Sequence, residues 1–375
     1  MLEALQNPIL FSNEKNDMKA LNLTFTFGRF LLATPFKLEG KRYVIRGITI
    51  FLLISIIFQA YVSIASRVSD VSTSSITFVM VDWLRIILDM LFVAICLMNS
   101  NIFMMLHWRL LYRKLAHLDF LLRKHNFQVK RKLFLFYCEI LLAFISFSAL
   151  QIYELTIVYR YRGKDGVISF IGWTISQFYM NFILLLTYNF AKVLRHRYVL
   201  LNDMVKNTNE GELLNATIVH KLDEIVILYK TLYAIVDQFN KIFGWHVLLY
   251  ISVSVMYILY AIMFSMEVKF IMERSIPWYL LSVVYILSLV ILIISCDRAE
   301  KSGLKVISTC YLLHESIGDR RVKDKLLQLV EYAQQWKPHF SAAGFYDVNQ
   351  STLTAIFEAV ITYLVILIQF DLALK

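Results

Sequence analysis

Long apolar stretches alternate with polar, charged segments along most of the chain. Seven of these stretches reach about 20 residues, the length that a helix needs to cross a bilayer. They occupy residues 47–66, 76–98, 133–158, 167–190, 244–265, 277–296 and 352–371. The pattern therefore predicts an all-α polytopic membrane protein with seven transmembrane helices.

The composition agrees with a membrane protein. Hydrophobic residues make up 58% of the 375 residues and charged residues 18%, whereas soluble domains contain about 25% charged residues. The sequence contains no catalytic set, metal-ligand spacing or phosphate-binding glycine loop, so we expect no enzyme activity, no metal and no cofactor. The cysteines have no CxxC spacing and form no close pair. They are Cys96, Cys138, Cys296 and Cys310.

Lysine and arginine are distributed unevenly among the segments that separate the predicted spans. The N-terminal segment and every second segment after it hold 30 of these residues, and the other segments hold 7. Positive residues are retained on the cytoplasmic side, so the N-terminus is predicted to be cytoplasmic and the C-terminus extracellular. This orientation is opposite to that of G-protein-coupled receptors. It also explains the net charge of +10 without a nucleic-acid partner.

Two predicted cytoplasmic segments have apolar residues at helical spacing. Residues 218–239 lead directly into the fifth span, and residues 321–336 stop before Pro338. Such helices either lie on the inner membrane surface or extend the spans into a cytoplasmic bundle where sister subunits meet, and the periodicity fits both. The apolar positions are Ile218, Leu222, Ile225, Tyr229, Leu232, Val236 and Phe239, then Val322, Leu326, Leu329, Val330, Ala333 and Trp336.

Three charged residues lie inside the second predicted span. Asp82, Arg85 and Asp89 are three and four residues apart, so they share one helix face and Arg85 can pair with both acids. Charges within a membrane are costly and usually face protein or water. Two interpretations follow: a self-satisfied contact that holds this span against a neighbour, or the wall of a ligand or ion pathway.

Aromatic and polar residues gather in the predicted outer halves of the third to sixth spans. This combination suits a pocket for a small molecule, although each residue also fits ordinary helix packing. Trp278 and Tyr279 belong to this group, and because they lie directly after Pro277 they are equally typical of anchors at the membrane interface. The ligand-binding candidates are Tyr153, Glu154, Trp173, Gln177, Tyr257 and Tyr260.

The last predicted span is apolar except for one polar stripe. Glu358, Thr362 and Gln369 lie on one side of the helix. In a single chain this stripe would pack against a neighbouring helix. If several copies met around an axis, it would line an aqueous path with an aliphatic narrow section and a ring of amides near its outer end. Such constrictions gate by wetting and dewetting.

The end of this span also carries a sequence motif. Residues 362–370 read Thr-Tyr, five hydrophobic residues, then Gln-Phe. The motif resembles the signature of the insect gustatory receptors, which are related to the insect odorant receptors. Residues 341–345, Ser-Ala-Ala-Gly-Phe, resemble the turn before that family's last helix. The chain length, the seven spans and the cytoplasmic N-terminus agree with the same family.

The resemblance implies a ligand-gated, nonselective cation channel built from four identical or sister subunits. One central pore would be lined by the last helix, with the amide of Gln369 at the constriction. Ligands would enter a pocket open to the outside among the third to sixth spans. The implied pore and gate residues are Thr362, Tyr363, Val365, Ile366, Gln369 and Phe370.

Together with the spans, the resemblance divides the chain into four parts. These are a cytoplasmic N-terminal segment, a ligand-binding bundle of six helices, a cytoplasmic linker with anchor helices, and the pore-lining seventh helix. They cover residues 1–46, 47–296, 297–349 and 350–375. The expected location is the plasma membrane of chemosensory neurons, and the expected partners are a small-molecule tastant, permeating cations, membrane lipid and other receptor subunits.

Two other functions fit a seven-span chain. One is a metabotropic chemoreceptor that signals through partner proteins, and the other is a membrane carrier, which the lack of an evident internal repeat disfavours. The pocket candidates are rich in aromatic residues and include one carboxylate, Glu154. They suit bitter, aromatic or other apolar compounds slightly better than sugars.

Overall fold

The computed structural model describes residues 28, 34, 42–68, 75–124, 133–208, 215–267 and 272–374. Within this part of the chain the structure is helical apart from short connections and one hairpin, which confirms the all-α prediction. The helices are α1 (Arg42–Val68), α2 (Ile76–Met98), a π-helical turn (Asn99–Phe103), α3 (Met105–Lys124), α4 (Leu133–Lys206), α5 (Asn215–Glu267), α6 (Met272–Ser316), α7 (Arg320–Gln335) and α8 (Gln350–Leu374). The hairpin strands are β1 (Ser341–Ala342) and β2 (Tyr346–Asp347).

Every stretch predicted to span the membrane lies within one of these helices. Helix α1 includes a shorter apolar segment, Arg46–Phe58, and α2 carries the three charged residues. The count of seven spans and the orientation of the chain remain predictions. Five segments of the described chain are long and apolar enough to cross a membrane: Cys138–Arg160, Phe170–Lys206, Thr217–Met266, Ser275–Ser316 and Gln350–Ala373.

Helix α4 consists of two segments that meet at Gly163. This glycine has φ 62° and ψ −150°, a conformation that residues with a Cβ rarely adopt. The two segments run antiparallel, because Thr174 Oγ1 donates to Gln151 Oε1 at 3.0 Å and Lys192 Nζ pairs with Glu139 at 2.7 Å. A single glycine therefore makes the reversal between the third and fourth predicted spans.

Helices α5 and α6 are much longer than a bilayer requires. Helix α5 has 53 residues, which at about 1.5 Å each is roughly 80 Å, whereas a hydrocarbon core is about 30 Å thick. All seven apolar positions predicted between residues 218 and 239 are buried in this continuous helix. The helices thus extend beyond the spans into a bundle within the chain, while the cytoplasmic location of this bundle and the meeting of sister subunits there stay predictions.

Helix α7 packs on α5 and α6 in the same bundle. The side chain of Asp319 caps its first turn, accepting from the backbone N–H groups of Arg321 at 2.7 Å and Val322 at 3.3 Å. The helix ends before Pro338, as predicted, and Trp336 is half-buried against Tyr332. Its buried face consists of Val322, Leu326, Leu329, Val330 and Ala333.

A tight hairpin connects α7 to α8. Phe345 donates its backbone N–H to the carbonyl of Ala342 at 3.0 Å. Between them, Ala343 and Gly344 have φ values of 53° and 81°. Two successive positive φ values are typical of a type I′ turn, which matches the twist of the flanking strands. The segment singled out in the sequence as a turn before the last helix therefore forms one.

The hairpin rests directly on α5. The side chain of Asn240 donates to the carbonyl of His339 at 2.8 Å and accepts from the N–H of Ser341 at 3.1 Å. One turn further along α5, an added Cβ at Gly244 would lie 2.8 Å from the backbone nitrogen of Ala343. The absence of a side chain at Gly244 therefore permits this close approach of helix and hairpin.

The substitution Gly244→Ala is expected to lower stability and to displace the hairpin. The new methyl group would meet backbone atoms of Ala343, which cannot swing aside as a flexible side chain can. Overpacking costs about 1–3 kcal/mol and opposes a gain of about 1 kcal/mol in helix propensity. Thermal unfolding of the purified protein in detergent measures the balance.

Gly47→Ala is the matched control for this test. Gly47 also lies in a helix, α1, but nothing lies within 4 Å of an added Cβ. Its melting temperature should therefore stay the same or rise slightly. A melting temperature for Gly244→Ala equal to or above that of Gly47→Ala would contradict the close contact.

Candidate functional site

The charged residues of α2 are buried and paired, as their spacing predicted. Arg85 Nη2 donates to Asp82 Oδ1 at 2.9 Å, and Arg85 Nη1 donates to Asp89 Oδ2 at 3.3 Å. The side chain of Arg85 is 1% exposed. A buried charge without such partners would cost several kcal/mol, so the two acids allow the guanidinium group to lie inside the bundle.

The hydroxyl group of Tyr257 joins this cluster to α4 and α5. It donates to Asp89 Oδ2 at 2.7 Å and lies 3.0 Å from Arg85 Nη1. On its other side, Trp173 Nε1 donates to it at 2.8 Å, and Gln177 Nε2 also points at it. The charged cluster and three of the pocket candidates, Trp173, Gln177 and Tyr257, thus form one polar network.

Aromatic rings surround the guanidinium group of Arg85. Its Cζ atom lies 4.8 Å from the ring centre of Tyr260, 5.2 Å from that of Tyr257 and 5.6 Å from that of Trp278. Distances below about 6 Å are typical of cation–π attraction. We refer to Tyr257, Tyr260 and Trp278 as the aromatic cage. Because Trp278 belongs to α6, the cage brings the second, fifth and sixth predicted spans together.

Residues of α6 tie this region to α4 and α5. Tyr285 donates its hydroxyl hydrogen to Gln177 Oε1. Its ring stacks on that of Tyr257, with centroids 4.5 Å apart and an interplanar angle of 11°. Ser282 Oγ donates to the backbone carbonyl of Tyr257 at 3.0 Å. A movement of α6 at this level would therefore be transmitted to Tyr257.

Two adjacent pocket candidates on α4 have different surroundings. Glu154 is 3% exposed; its Oε2 accepts from Gln151 at 3.4 Å, and its Oε1 has no hydrogen-bond partner among the described residues. Tyr153 is 37% exposed, and none of the hydrogen bonds of the network involves it. The candidates that lie buried in this region of the bundle are Glu154, Gln177, Tyr257 and Tyr260, and Trp173 is half-buried.

Tyr285 was not among the predicted site residues, and Trp278 fitted both a pocket and an anchor at the membrane interface. Trp278 packs on Arg85, while Tyr279 is 44% exposed, as an interface anchor would be. A signal was available, because Trp278 and Tyr285 are seven residues apart and therefore share a helix face. This spacing places both residues on one aromatic face of α6, but it does not show which helix that face contacts.

Helix α8 packs on its own chain through one face. Each residue turns the helix by about 100°, so a side chain two positions after a packed residue points about 200° away from it. Such a side chain lies on nearly the opposite side of the helix. Glu358, Thr362 and Gln369 each follow a member of the packed face by two positions, and all three are exposed. The packed face consists of Ile356, Val360, Leu364, Leu367 and Asp371.

The other predicted pore residues are also exposed in the single chain. By the same rotation, Val365 and Ile366 border the polar stripe on either side. Tyr363 and Phe370 lie together on one flank, between the stripe and the packed face. The helix thus has three distinct surfaces: one against its own chain, one polar, and one aromatic.

Comparison with protein families gives a match over most of the chain. A family model described as 7tm chemosensory receptor matches residues 21–374.

Two proteins of Drosophila melanogaster are similar over part of their length. Gustatory receptor 28b is 25% identical over 141 residues, which cover 35% of this chain and 30% of that protein. Gustatory receptor for bitter taste 93a is 26% identical over 159 residues, which cover 40% of this chain and 36% of that protein. The chain therefore matches about a third of the length of these relatives.

The fold is similar to that of an insect olfactory receptor, OR5 from Machilis hrabei. The structure of OR5 in complex with eugenol has a TM-score of 0.68 at 13% identity, covering 95% of this chain and 100% of that chain. A second structure of OR5 has a TM-score of 0.59 at 14% identity, covering 94% and 97%. At such identity the similarity concerns the fold alone.

Proposed function

We propose that this chain, which belongs to the 7tm chemosensory receptor family, is a subunit of a ligand-gated, nonselective cation channel for taste. Four identical or sister subunits surround one pore, which α8 lines. The observation that carries the proposal is the exposed polar stripe of α8, opposite the face that packs on its own chain. Polar groups inside a membrane need water or protein around them, and a shared aqueous pore supplies water.

The pore narrows where aliphatic and amide side chains meet. Val365 and Ile366 form the aliphatic wall, and four copies of Gln369 form the amide ring at the predicted outer end. Amides can coordinate a passing ion without a fixed charge, which suits a channel with little selectivity. Tyr363 and Phe370 contact the neighbouring subunit, since they lie on the flank between the pore stripe and the packed face.

The ligand binds in the polar network and the aromatic cage. From there, α5 and α6 run without interruption into the bundle beyond the spans. The hairpin that precedes α8 rests on α5 through Asn240 and the close approach at Gly244. A ligand that moves α5 or α6 therefore moves the support of the pore helix, which gives a physical route from binding to gating.

The proposed ligand is a bitter or otherwise apolar aromatic compound. The buried candidates are mainly aromatic rings with few polar groups, a combination that favours ligands with rings of their own. The partial similarity to a receptor for bitter taste supports the same class. The proposed location is the plasma membrane of chemosensory neurons.

Recording from the purified chain in a planar bilayer tests the proposal. Among a panel of bitter aromatic amines, phenols and sugars, the amines and phenols should evoke cation current without any other protein present, and the sugars should evoke none. A metabotropic receptor would give ligand-dependent signals in cells but no current in this bilayer. That result, with ligand binding by the purified protein intact, would overturn a channel built from identical subunits.

The orientation of the chain gives a separate prediction. An epitope tag at the N-terminus should be stained by antibody after the cells are permeabilised and not on intact cells, while a tag at the C-terminus should be stained on intact cells. The reason is the retention of the lysine- and arginine-rich segments in the cytoplasm. N-terminal staining of intact cells would contradict both the topology and a gate at the outer end of α8.

A further inference from the structure

We propose that the ligand site takes an organic cation, and that Arg85 is a built-in occupant of the aromatic cage which this cation displaces. The inference rests on the proposed function, since it assumes that the network is the ligand site. It names the class of ligand: a protonated or quaternary amine that carries an aromatic ring.

The cage already holds a positive group. Three ring centres lie between 4.8 and 5.6 Å from the guanidinium carbon of Arg85, and they belong to two different helices, α5 and α6. Rings arranged in this way around a positive centre are the usual recognition element for alkylammonium ligands. The chemistry that stabilises the guanidinium group would stabilise an ammonium group in the same place.

The acids of the site outnumber its positive groups. Asp82, Asp89 and Glu154 are all buried, and Arg85 is the one positive group bonded to the two aspartates among the described contacts. Arg85 bonds to both aspartates, while Glu154 keeps one buried oxygen without a hydrogen-bond partner in the described chain. A buried carboxylate in low dielectric is stabilised strongly by a second cation. A buried carboxyl group is neutral in the absence of a cation, and a cation beside it favours the charged form, so Glu154 becomes a counter-ion only when the ligand brings its charge.

The hydrogen bonds that hold Arg85 to Tyr257 are in competition with others. A phenol oxygen accepts at most two hydrogen bonds, yet Arg85, Trp173 and Gln177 all direct N–H groups at Tyr257. Only two of these three bonds form at once. Loss of the bond from Arg85 is therefore compensated by the other two donors, which lowers the cost of displacing the guanidinium group.

Displacement of Arg85 would separate helices that it now joins. Its bonds to Asp82 and Asp89 lie within α2, whereas its contacts with Tyr257, Tyr260 and Trp278 reach α5 and α6. A ligand cation that takes over these ring contacts removes the links from Arg85 to α5 and α6, and the hydrogen bond from Tyr257 to Asp89 remains as a polar link between α5 and α2. The resident arginine thus holds the resting state, and the ligand releases it.

A matched pair of probes tests the ligand class. The cation 3-hydroxyphenyltrimethylammonium and its neutral isostere 3-tert-butylphenol have the same shape and differ in charge. Binding is measured as the concentration dependence of the melting temperature of the full chain in lipid nanodiscs. The cation should bind at least about tenfold more tightly than the neutral compound, as a desolvated cation–π site predicts. Equal or weaker binding of the cation would overturn the inference.

Two pairs of variants locate the binding. Trp278→Leu removes a ring of the cage, while Tyr279→Leu removes the exposed aromatic residue beside it. Glu154→Gln removes the buried counter-ion, while Glu139→Gln changes an exposed acid of the same helix that pairs with Lys192. The first member of each pair should reduce the preference for the cation about fivefold or more, and the second should leave it unchanged. An unchanged preference in both Trp278→Leu and Glu154→Gln would also overturn the inference.

A rescue experiment tests the role of Arg85 itself. Arg85→Ala should lower the melting temperature, because two buried acids lose their partner. The cationic probe should raise the melting temperature of Arg85→Ala by more than it raises that of the unchanged protein. The neutral probe, 3-tert-butylphenol, should raise the two melting temperatures equally. A variant stabilised equally by both probes would contradict displacement. Bilayer current from the unchanged protein tests the channel function separately. If ligands evoke current but the cationic probe binds no more tightly than the neutral one, the inference is excluded and the proposed function is retained.

Discussion

Replacing Gln369 by leucine is expected to remove most of the ligand-evoked current, at least about tenfold, while the amount of protein at the cell surface stays the same. In the proposed pore, four leucines would replace four amides and extend the aliphatic section of Val365 and Ile366 to the outer end of the helix. A longer dry section raises the barrier to wetting, and about 1.4 kcal/mol suffices for a tenfold loss. Whole-cell recording and surface labelling of the same cells measure both quantities.

The side chain of Gln369 is exposed in the single chain, so its replacement disturbs no packing within the subunit. Gln369→Asn, which shortens the amide by one methylene group, should keep current but alter the relative permeability of Na⁺ and Ca²⁺. Gln350→Leu is the matched control, since the same change is made at the first residue of α8, where the amide accepts from Lys301 at 3.1 Å. Normal current in Gln369→Leu would place the constriction elsewhere.

Arg197→Ala is expected to destabilise the bundle beyond the spans by about 3–5 kcal/mol and to reduce the amount of receptor at the surface severely. Arg197 Nε and Nη2 donate to the two carboxylate oxygens of Asp119, each at 2.9 Å, and Nη1 donates to the carbonyl of Val193 at 3.1 Å. Arg197 and Asp119 are both buried. Removal of the arginine leaves the acid of α3 buried without its bidentate partner on α4.

The size of this effect depends on burial, and the chain offers a comparison. Lys325 and Asp223 join α7 to α5 at 2.8 Å, but both side chains are partly exposed. Lys325→Ala should therefore cost less than about 1 kcal/mol. The double variant Asp119→Leu with Arg197→Met should recover part of the loss, because apolar side chains of similar size can replace a buried ion pair. Equal melting temperatures for Arg197→Ala and Lys325→Ala, measured in detergent, would show that the buried ion pair stabilises the protein no more than the exposed one.

Much of the architecture was present in local patterns of the sequence. The apolar stretches located the helices, because a bilayer and a helix of about 1.5 Å per residue fix the length of a span. The spacing of Asp82, Arg85 and Asp89 predicted their ion pairs, and the spacing of Ile218 to Phe239 predicted the buried face of α5. In each case the interacting or co-facing residues are neighbours on one helix, so periodicity alone relates them.

The same patterns could not decide between a helix on the membrane surface and a helix in a bundle. An apolar face at residues 218–239 requires burial against something apolar, and both lipid and protein satisfy it. The structure settles this for α5 and α7, whose apolar faces are buried in protein. For α8, the single chain leaves the polar stripe exposed, and its partner belongs to the proposed assembly.

The sequence by itself determined which residues share a face of each helix, since side-chain direction follows from position along a regular backbone. Only the tertiary structure decided which faces meet. It joined Arg85 to Tyr257, 172 positions away, and it turned Trp278 into the cage while Tyr279 beside it stayed exposed. Such contacts depend on the rotation and depth of each helix against its neighbours. Those quantities arise from packing among all the helices together, and no single helix encodes them.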